Sequence, residues 1–381
     1  MKNLFSPVVR NFLAILFLTL SLSSCIKKDQ GLKDPGLKDV FSDDFLIGTC
    51  MNTPQINGTD LKAKPFIAAN FNSVTAENAM KWERIHPEPD RYNFTIADSM
   101  INFAIANNMF VVGHTLIWHS QTPDWVFQDS LGNPLERDDL LKRMKDHIFT
   151  VVGHFKGKVN GWDVVNEAVN EDGSLRQTNW LRIIGPDYIE KAFEFAREAD
   201  PDAELYYNDY NIELRQKRSG AVGIINDLRN NGIKVDGVGI QGHWNLDFPS
   251  LDEIDEALTE YGLMDLKIMI SEMDIDVLPA PENISGADVS DNADYQKTLN
   301  PYVSGLPDSV SKRLADRYAD LFSVFEKHKE AVTRVTFWGV NDGYSWKNNW
   351  PVKGRTNYPL LFDRNYKPKQ AFYSVIKTAK L

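Results

Sequence analysis

Cysteine is scarce in this 381-residue sequence, which contains only Cys25 and Cys50. A chain with so few thiols has no disulfide framework, so its stability must come from a hydrophobic core. A basic excess is also absent: 42 Lys and Arg against 53 Asp and Glu give a formal charge of −11. This balance argues against a nucleic-acid partner. The apolar run at 12–22 is too short to span a membrane.

Several catalytic signatures are missing as well. The seven histidines form neither a His-x-His nor a His-Glu-x-x-His motif, so a metalloprotease-type zinc site has no support. No Gly-x-Ser-x-Gly elbow is present, which argues against a serine hydrolase of that type. No Gly-x-Gly-x-x-Gly follows the first predicted strand, so a dinucleotide site is not indicated. We therefore expect neither a metal nor a cofactor.

The N-terminus has the pattern of an export signal. Lys2 and Arg10 precede the apolar run, which ends in Leu22-Ser23-Ser24-Cys25. This quartet resembles the lipobox of bacterial lipoproteins and predicts a signal peptide at 1–24 with lipidation of Cys25; a plain secretory signal is the alternative. Removing the two basic residues of the signal takes the formal charge from −11 to −13. The polar residues 25–40, with Gly-Leu-Lys-Asp repeated around Pro35, predict a flexible tether.

From residue 41 to 381, strand-like and helix-like segments alternate. The predicted strands are 45–50, 73–76, 110–114, 159–165, 205–208, 238–241, 266–271 and 335–338, and helical periodicity follows at 96–107, 138–155, 188–199, 219–231, 251–261 and 314–328. About eight strand–helix units predict an α/β fold, a single-domain (β/α)8 TIM barrel. A doubly wound open sheet is the alternative. Residues 279–309 are rich in Pro, Asn, Asp, Ser and Gly and predict a long loop at the C-terminal face.

Polar and aromatic residues gather where the predicted strands end, which is where barrel enzymes hold their catalytic groups. In chain order they are Glu77, Asn78, His114, Trp118, His119, Asn166, Glu167, Asn208, Asp209, Tyr210, Asn211, Gln241, His243, Glu272, Asp274, Trp338 and Trp346. For the three histidines of this rim, zinc ligation is the alternative to hydrogen bonding with the hydroxyl groups of a ligand or with a carboxylate. The rim predicts one site built from many strands.

Two rim carboxylates suggest the chemistry. Glu167 ends the fourth predicted strand and Glu272 ends the seventh, so the barrel brings them to opposite sides of one mouth. A facing carboxyl pair is the machinery of glycoside hydrolysis: one acid protonates the leaving oxygen and the other meets the developing positive charge. Nine tryptophans, several at strand ends, suit a sugar substrate because indole faces stack on sugar rings.

At this point the sequence resembles glycoside hydrolase family 10, whose members are mostly endo-β-1,4-xylanases. The resemblance runs from about Phe41 to the C-terminus. It rests on VTAENAMKWE (74–83), VGHTLIWHSQTPDW (112–125), WDVVNEAVNEDG (162–173), YYNDYNIE (206–213), VGIQGHW (238–244), ISEMDID (270–276) and TFWGVNDGYSWKNN (336–349).

The resemblance implies roles for most of the rim residues. Glu167 matches the acid/base and Glu272 the nucleophile, and His243 with Asp274 matches the network that supports the nucleophile. The substrate-binding residues that it implies are Glu77, Asn78, Lys81, His114, Trp118, Gln121, Asn166, Tyr210, Gln241, His243, Trp338 and Trp346. Among these, Tyr210 matches an aromatic on the leaving-group side. Lys347 departs from the pattern because many members have Arg there, and the 279–309 segment is absent from shorter members.

We therefore expect retaining endo-hydrolysis of xylan and xylo-oligosaccharides, with a carboxyl separation of about 5–5.5 Å. The alternatives are another retaining barrel β-glycanase, such as a cellulase or mixed-linkage glucanase, and a non-catalytic glycan-binding lipoprotein. The signal resembles that of a lipoprotein from a Gram-negative-type bacterium. It predicts export and a lipid anchor in the outer membrane, facing the periplasm or the cell surface. A monomer is expected.

Overall fold

A computed structural model describes residues 35–282, 284 and 286–379, and within them the strands form one parallel barrel. The strands are β1 (Leu46–Met51), β2 (Ser73–Ala76), β3 (Phe110–Ile117), β4 (Gly161–Asn166), β5 (Glu204–Asp209), β6 (Gly237–Ile240), β7 (His243–Asn245), β8 (Lys267–Asp276) and β9 (Val332–Phe337). Eight of these nine strands form the barrel in the order β6-β5-β4-β3-β2-β1-β9-β8, and β6 also pairs with β8, which closes the circle. The short β7 lies beside β8. The predicted TIM barrel is confirmed.

Helices surround the barrel. They are α1 (Leu37–Val40), α2 (Thr53–Asn57), α3 (Ala63–Asn70), α4 (Trp82–Ile85), α5 (Thr95–Ala106), α6 (Arg137–Phe155), α7 (Asn179–Ile184), α8 (Tyr188–Ala199), α9 (Arg215–Asn230), α10 (Leu251–Leu263), α11 (Asp308–Lys327) and α12 (Gln370–Thr378). Local sequence sets some of their starts. Ser250 Oγ accepts from Glu253 N at 3.2 Å, and the Glu253 carboxylate accepts from Ser250 N at 2.8 Å, so α10 begins with a capping box.

The strands are covered on both faces, as their continuous apolar sequences predict. All six residues of β4 are buried, and Trp162 within it is among the largest fully buried side chains. Trp162 fits because its neighbour in β3 is Gly113, where any Cβ would collide with the indole ring. Packing of this kind fixes the strand ends, and therefore the rim.

Several strand bounds differ from the prediction by up to three residues, and the larger differences concern β7 and β8. β8 runs on to Asp276 instead of ending near Ser271, and the short β7 was not predicted. The two differences have one cause: β7 pairs in parallel with the extension of β8, with His243 opposite Asp274. The extension therefore brings Glu272 and Asp274 beside His243.

The folded part begins earlier than predicted. Residues 37–40, assigned to the tether, form α1; Leu37 is fully buried, and Lys38 Nζ donates to Ala68 O at 2.6 Å. The apolar Leu37 packs on the barrel domain, which a polar tether would not do. The predicted signal at 1–24, the lipidated Cys25 and the tether up to residue 34 lie outside the described residues. Cys50 is buried and free, as predicted.

Among the described residues, no helix combines the length and the apolar character that crossing a bilayer requires. The long segment after β8 has little regular structure, apart from a single 3-10 turn at Lys297–Leu299, before α11 begins at Asp308. It lies on the rim with the other loops that follow the strands, as predicted for a loop at the C-terminal face.

Candidate active site

Glu167 stands immediately after β4, where the backbone turns sharply. Its φ of 56° lies in the left-handed region, and its N–H donates to Asn208 O at 2.9 Å, so the turn is fixed against β5. A non-glycine residue adopts this conformation only when its surroundings hold it there. The side chain is only 3% exposed, and its two oxygens accept from Gln241 Nε2 and Trp118 Nε1, both at 2.9 Å. The abrupt end of this strand positions an acid inside the mouth.

Glu272 occupies the opposite wall, within the extension of β8. Its side chain is 5% exposed. Oε1 accepts from Asn208 Nδ2 at 2.8 Å, and Oε2 lies 3.4 Å from His243 Nε2. The carboxylate is therefore held on both oxygens, as a nucleophile that must keep one orientation requires.

A chain of amides connects the two acids. Asn208 Nδ2 donates both to Glu272 and to Asn166 Oδ1, at 2.8 Å each. Asn166 Oδ1 lies 3.4 Å from Gln241 Nε2, which also donates to Glu167. Both carboxylates line one cavity of about 190 Å³. The two acids therefore share one opening, and neither is shut away from it.

The pKa values of the two acids move in opposite directions. Burial raises the pKa of Glu167, and its hydrogen bonds from Gln241 and Trp118 oppose this only in part. Burial would also raise the pKa of Glu272, but the nearby His114 and His243 outweigh it, so the pKa of Glu272 falls below its ordinary value. One acid is therefore set to carry a proton while the other is ionised, which is the division that an acid and a nucleophile need.

A polar network stands behind the nucleophile. His243 Nδ1 lies 3.1 Å from Asp274 Oδ1, and Trp346 Nε1 donates to Asp274 Oδ2 at 2.7 Å. Burial would lower the pKa of His243, but the charge of Asp274 and its hydrogen bond raise it. A histidine that keeps its proton here places positive charge beside Glu272. Lys347 Nζ, at 3.9 Å from Asp274 Oδ1, adds to that charge.

A cluster of polar side chains lines the cavity on the side of β2 and β3. Lys81 Nζ donates to Asn78 Oδ1 at 3.1 Å and to Gln121 Oε1 at 2.9 Å. Glu77 lies beside them, and burial raises its pKa. Burial lowers the pKa of Lys81, which neighbouring carboxylates oppose in part. These donors and acceptors are fixed by one another and are available to hydroxyl groups of a ligand.

Aromatic rings and a histidine complete the walls. Trp118, Trp338, Trp346 and His114 all line the cavity, and the His114 and Trp338 rings meet edge to face with centroids 5.4 Å apart. His114 Nδ1 lies 2.9 Å from the buried Asp163 Oδ2, which fixes the orientation of the imidazole.

Tyr210 lies apart from the other predicted substrate-binding residues, since it does not line this cavity. It is 5% exposed, its hydroxyl accepts from Arg176 Nη2 at 2.8 Å, and Gly286 of the long loop lies against its ring. The remaining eleven predicted substrate-binding residues all line the cavity together with the two glutamates. The loop that covers Tyr210 is the reason for the exception.

Several residues at the site have no predicted role. Asn208 was placed on the rim, but its bridging position follows from its register opposite Asn166 in the neighbouring strand, which the sequence alone does not give. Ala287 and Val289 of the long loop also line the cavity. His119 does not line it, and burial lowers its pKa to about 4. Among the described residues, no group of three or more His, Cys, Asp or Glu is arranged to hold a metal ion.

Comparisons with known proteins agree with this geometry. The model of the family described as glycosyl hydrolase family 10 matches residues 36–378. The chain is 46% identical to endo-1,4-beta-xylanase A of Xylanibacter ruminicola over 343 residues, covering 90% of this chain and 93% of that protein. It is 40% identical to a beta-1,4-xylanase of Dictyoglomus thermophilum, covering 96% and 97%.

Solved structures show the same likeness. A GH10 endoxylanase retrieved from a sugarcane soil metagenome superposes with a TM-score of 0.88 at 43% identity, covering 90% of this chain and 99% of that one. XynB of Paenibacillus barcinonensis, solved with a conduramine derivative, gives a TM-score of 0.82 at 39% identity, covering 91% and 99%.

Proposed function

The chain belongs to glycosyl hydrolase family 10, and on that premise we propose that it hydrolyses β-1,4-xylosidic bonds within xylan, with retention of the anomeric configuration. One observation of the structure carries the mechanism. Glu167 and Glu272 line one cavity, and their pKa values are shifted apart. The relatives named as xylanases support the substrate.

The first step forms a glycosyl-enzyme. The Glu272 carboxylate attacks the anomeric carbon while Glu167 gives its proton to the leaving oxygen, so the C–O bond breaks as the ester bond forms. The low pKa of Glu272 keeps the nucleophile ionised, and the raised pKa of Glu167 keeps the acid protonated. Asn166 and His114 line the cavity at this point and are proposed to bind the sugar that is cleaved.

The second step returns the enzyme to its starting state. Esterified Glu272 has lost its negative charge, which had raised the pKa of Glu167. Glu167 therefore ionises more readily and can act as a base. It takes a proton from a water molecule, and the water oxygen attacks the anomeric carbon from the side that the leaving group previously occupied. The ester bond breaks, and the product keeps the β configuration.

Xylose is the proposed unit because the cavity is small and closely walled. Its volume is about 190 Å³, and its lining includes the indoles of Trp338 and Trp346 and the polar side chains of Asn78, Lys81 and Gln121. We propose that a glucosyl unit, with its additional hydroxymethyl group, meets these indole rings. This separates a xylanase from a cellulase or a mixed-linkage glucanase with the same two glutamates.

The test compares release of reducing ends from xylan and from carboxymethylcellulose, with Glu272→Ala as the inactive control. We expect release from xylan to exceed release from carboxymethylcellulose by at least about 100-fold, and the variant to release none. Equal rates on the two polymers would favour the broader glucanase. An inactive wild-type enzyme that still binds xylan would favour a glycan-binding lipoprotein.

We also propose that the protein is exported and anchored to the outer membrane through lipid on Cys25, as a monomer. The support is the sequence at 1–25, with its basic start, apolar run and lipobox-like end. Expression in a Gram-negative host should place the wild-type protein in the membrane fraction with a diacylglyceryl group on Cys25 detected by mass spectrometry. Cys25→Ala should appear in the soluble fraction, and wild-type protein found there without lipid would contradict the anchor.

A further inference from the structure

Four residues of the long loop, Gly286–Val289, lie between two cavities at the mouth of the barrel; we name this segment the strap. Ala287 and Val289 line the catalytic cavity, whereas Gly286 lines a second cavity of about 510 Å³. The second cavity contains neither catalytic glutamate but shares His243 with the first. The strap therefore has one face toward the catalytic cavity and one face toward the second cavity.

Two contacts fix Asp288 of the strap to opposite sides of the mouth. Its Oδ2 accepts from Arg176 Nη1 at 2.7 Å, and its carbonyl oxygen accepts from Trp350 Nε1 at 3.0 Å. Arg176 follows β4 and Trp350 follows β9, so the strap spans the opening between them. The other carboxylate oxygen accepts from Ser290 N at 3.0 Å and Ser290 Oγ at 2.7 Å, which orients the carboxylate toward Arg176.

The strap lies across the path that a linear substrate must take. The polar group around Lys81 follows β2 and β3, while the second cavity is lined by segments after β6, β8 and β9, on the other side of the barrel. A polysaccharide that is bound by the polar residues around Lys81 and cleaved at the two glutamates continues toward the second cavity. Tyr210, which the family resemblance assigns to the leaving-group side, is covered by the strap: a Cβ on Gly286 would lie 2.7 Å from its ring.

We propose that the Arg176–Asp288 ion pair is a latch that determines specificity on the leaving-group side. The pair opens when xylosyl units occupy the second cavity and stays closed on substrates that end at the bond being cleaved. The inference rests on the proposed function, because it assumes that xylan is cleaved at the glutamates. The side chains of Arg176 and Asp288 are 17% and 20% exposed, so solvent screens the pair only in part and opening it carries a free-energy cost.

The test compares a substrate that ends at the reacting carbon with one that extends beyond it on the leaving-group side. β-Xylobiosyl fluoride fills the site up to the reacting carbon and releases fluoride, whereas xylohexaose also places xylosyl units beyond it. Asp288→Asn keeps the shape of the side chain but removes its charge. We expect it to raise kcat/KM for xylohexaose about three- to tenfold and to leave kcat/KM for the fluoride within about twofold.

Two control variants accompany it. Asp288→Glu keeps the charge and should resemble the wild-type enzyme on both substrates. Asp187→Asn removes another Arg–Asp pair, in which Asp187, between α7 and α8, lies 2.5 Å from Arg137 at the start of α6. This variant should leave kcat/KM unchanged for both substrates. Because the charge of Arg176 also lowers the pKa of Glu167, each variant is assayed across pH. An effect through Glu167 would shift the basic limb of the pH profile for xylohexaose, whereas opening of the latch changes kcat/KM without moving that limb.

Each alternative result is decisive. Unchanged values for both substrates in Asp288→Asn, or equal changes in both, would overturn the latch. A lower kcat/KM for xylohexaose with an unchanged value for the fluoride would show that the strap is a wall that the substrate needs, which also overturns it. A wild-type enzyme inactive on both substrates would instead overturn the proposed function, and the latch with it.

Discussion

Replacing Asn208 with Leu tests the amide bridge between the two acids. Leucine keeps the branched shape and the number of side-chain heavy atoms of asparagine, although its methyl groups are larger than the amide atoms, and both donations at 2.8 Å, to Glu272 and to Asn166, are lost. A hydrogen bond to a charged group contributes about 1.5–3 kcal/mol. If the carboxylate needs that bond in the transition state, kcat/KM falls by about 10- to 150-fold.

The pH profile gives the same variant a second readout. The lost donor favoured the ionised form of Glu272, so its pKa rises in Asn208→Leu. Because attack requires the ionised form, the acid limb of kcat/KM moves to higher pH, while the basic limb set by Glu167 keeps its position. The assay is the initial rate on an aryl β-xylobioside across pH, with thermal unfolding to confirm folding.

Ser271→Ala is the matched control. It removes the 2.6 Å bond from Ser271 Oγ to Asn208 Oδ1 but leaves both donations of the amide in place. We expect kcat/KM within about fivefold of the wild-type value and an unmoved acid limb. If Asn208→Leu also stayed within fivefold with an unmoved acid limb, the bridge would have no role in setting the nucleophile, and the reasoning would be refuted.

Three further predictions concern the same site. Glu167→Gln removes the titrating acid, so kcat/KM on xylan should fall by at least about 100-fold and the basic limb should disappear; a basic limb that persisted would show another acid at work. Trp118→Phe removes the 2.9 Å hydrogen bond to Glu167. Because this bond stabilises the ionised form of Glu167, its loss should raise the pKa of Glu167 and move the basic limb of the pH–rate profile to higher pH. A move to lower pH would contradict this. Gly239→Ala places a Cβ against the amide oxygen of Asn208 and should reduce kcat by about tenfold or more with little change in secondary structure; wild-type kinetics would show that the amide has room to shift.

The sequence predicts the barrel because its signal is local and repeated. Apolar strands alternate with amphipathic helices, and the polar strand ends locate Glu167 and Glu272 without any long-range information. The extension of β8 could not be predicted in this way. Its residues 272–276 alternate acidic and apolar side chains, and they continue as a strand because β7 pairs with residues 274–276 and β9 pairs with Met273.

Two features of the site depend on neighbours that are distant in sequence. Asn208 becomes a bridge because β4 and β5 align it with Asn166, and strand register does not follow from either strand alone. Tyr210 is covered because Gly286 of the long loop lies against it. That loop has no apolar periodicity, so its course is set by single contacts such as Arg176 with Asp288. The lipidation of Cys25 stays a prediction.

The central claim is that Glu272 is the nucleophile of a retaining reaction, and trapping the glycosyl-enzyme tests it most directly. The enzyme is incubated with 2,4-dinitrophenyl 2-deoxy-2-fluoro-β-xylobioside, digested and analysed by mass spectrometry. We expect one fluoroxylobiosyl group per protein, attached to the peptide that contains Glu272, and none in Glu272→Ala. A label on another residue, or an unlabelled enzyme that releases α-configured product from xylohexaose, would contradict the account.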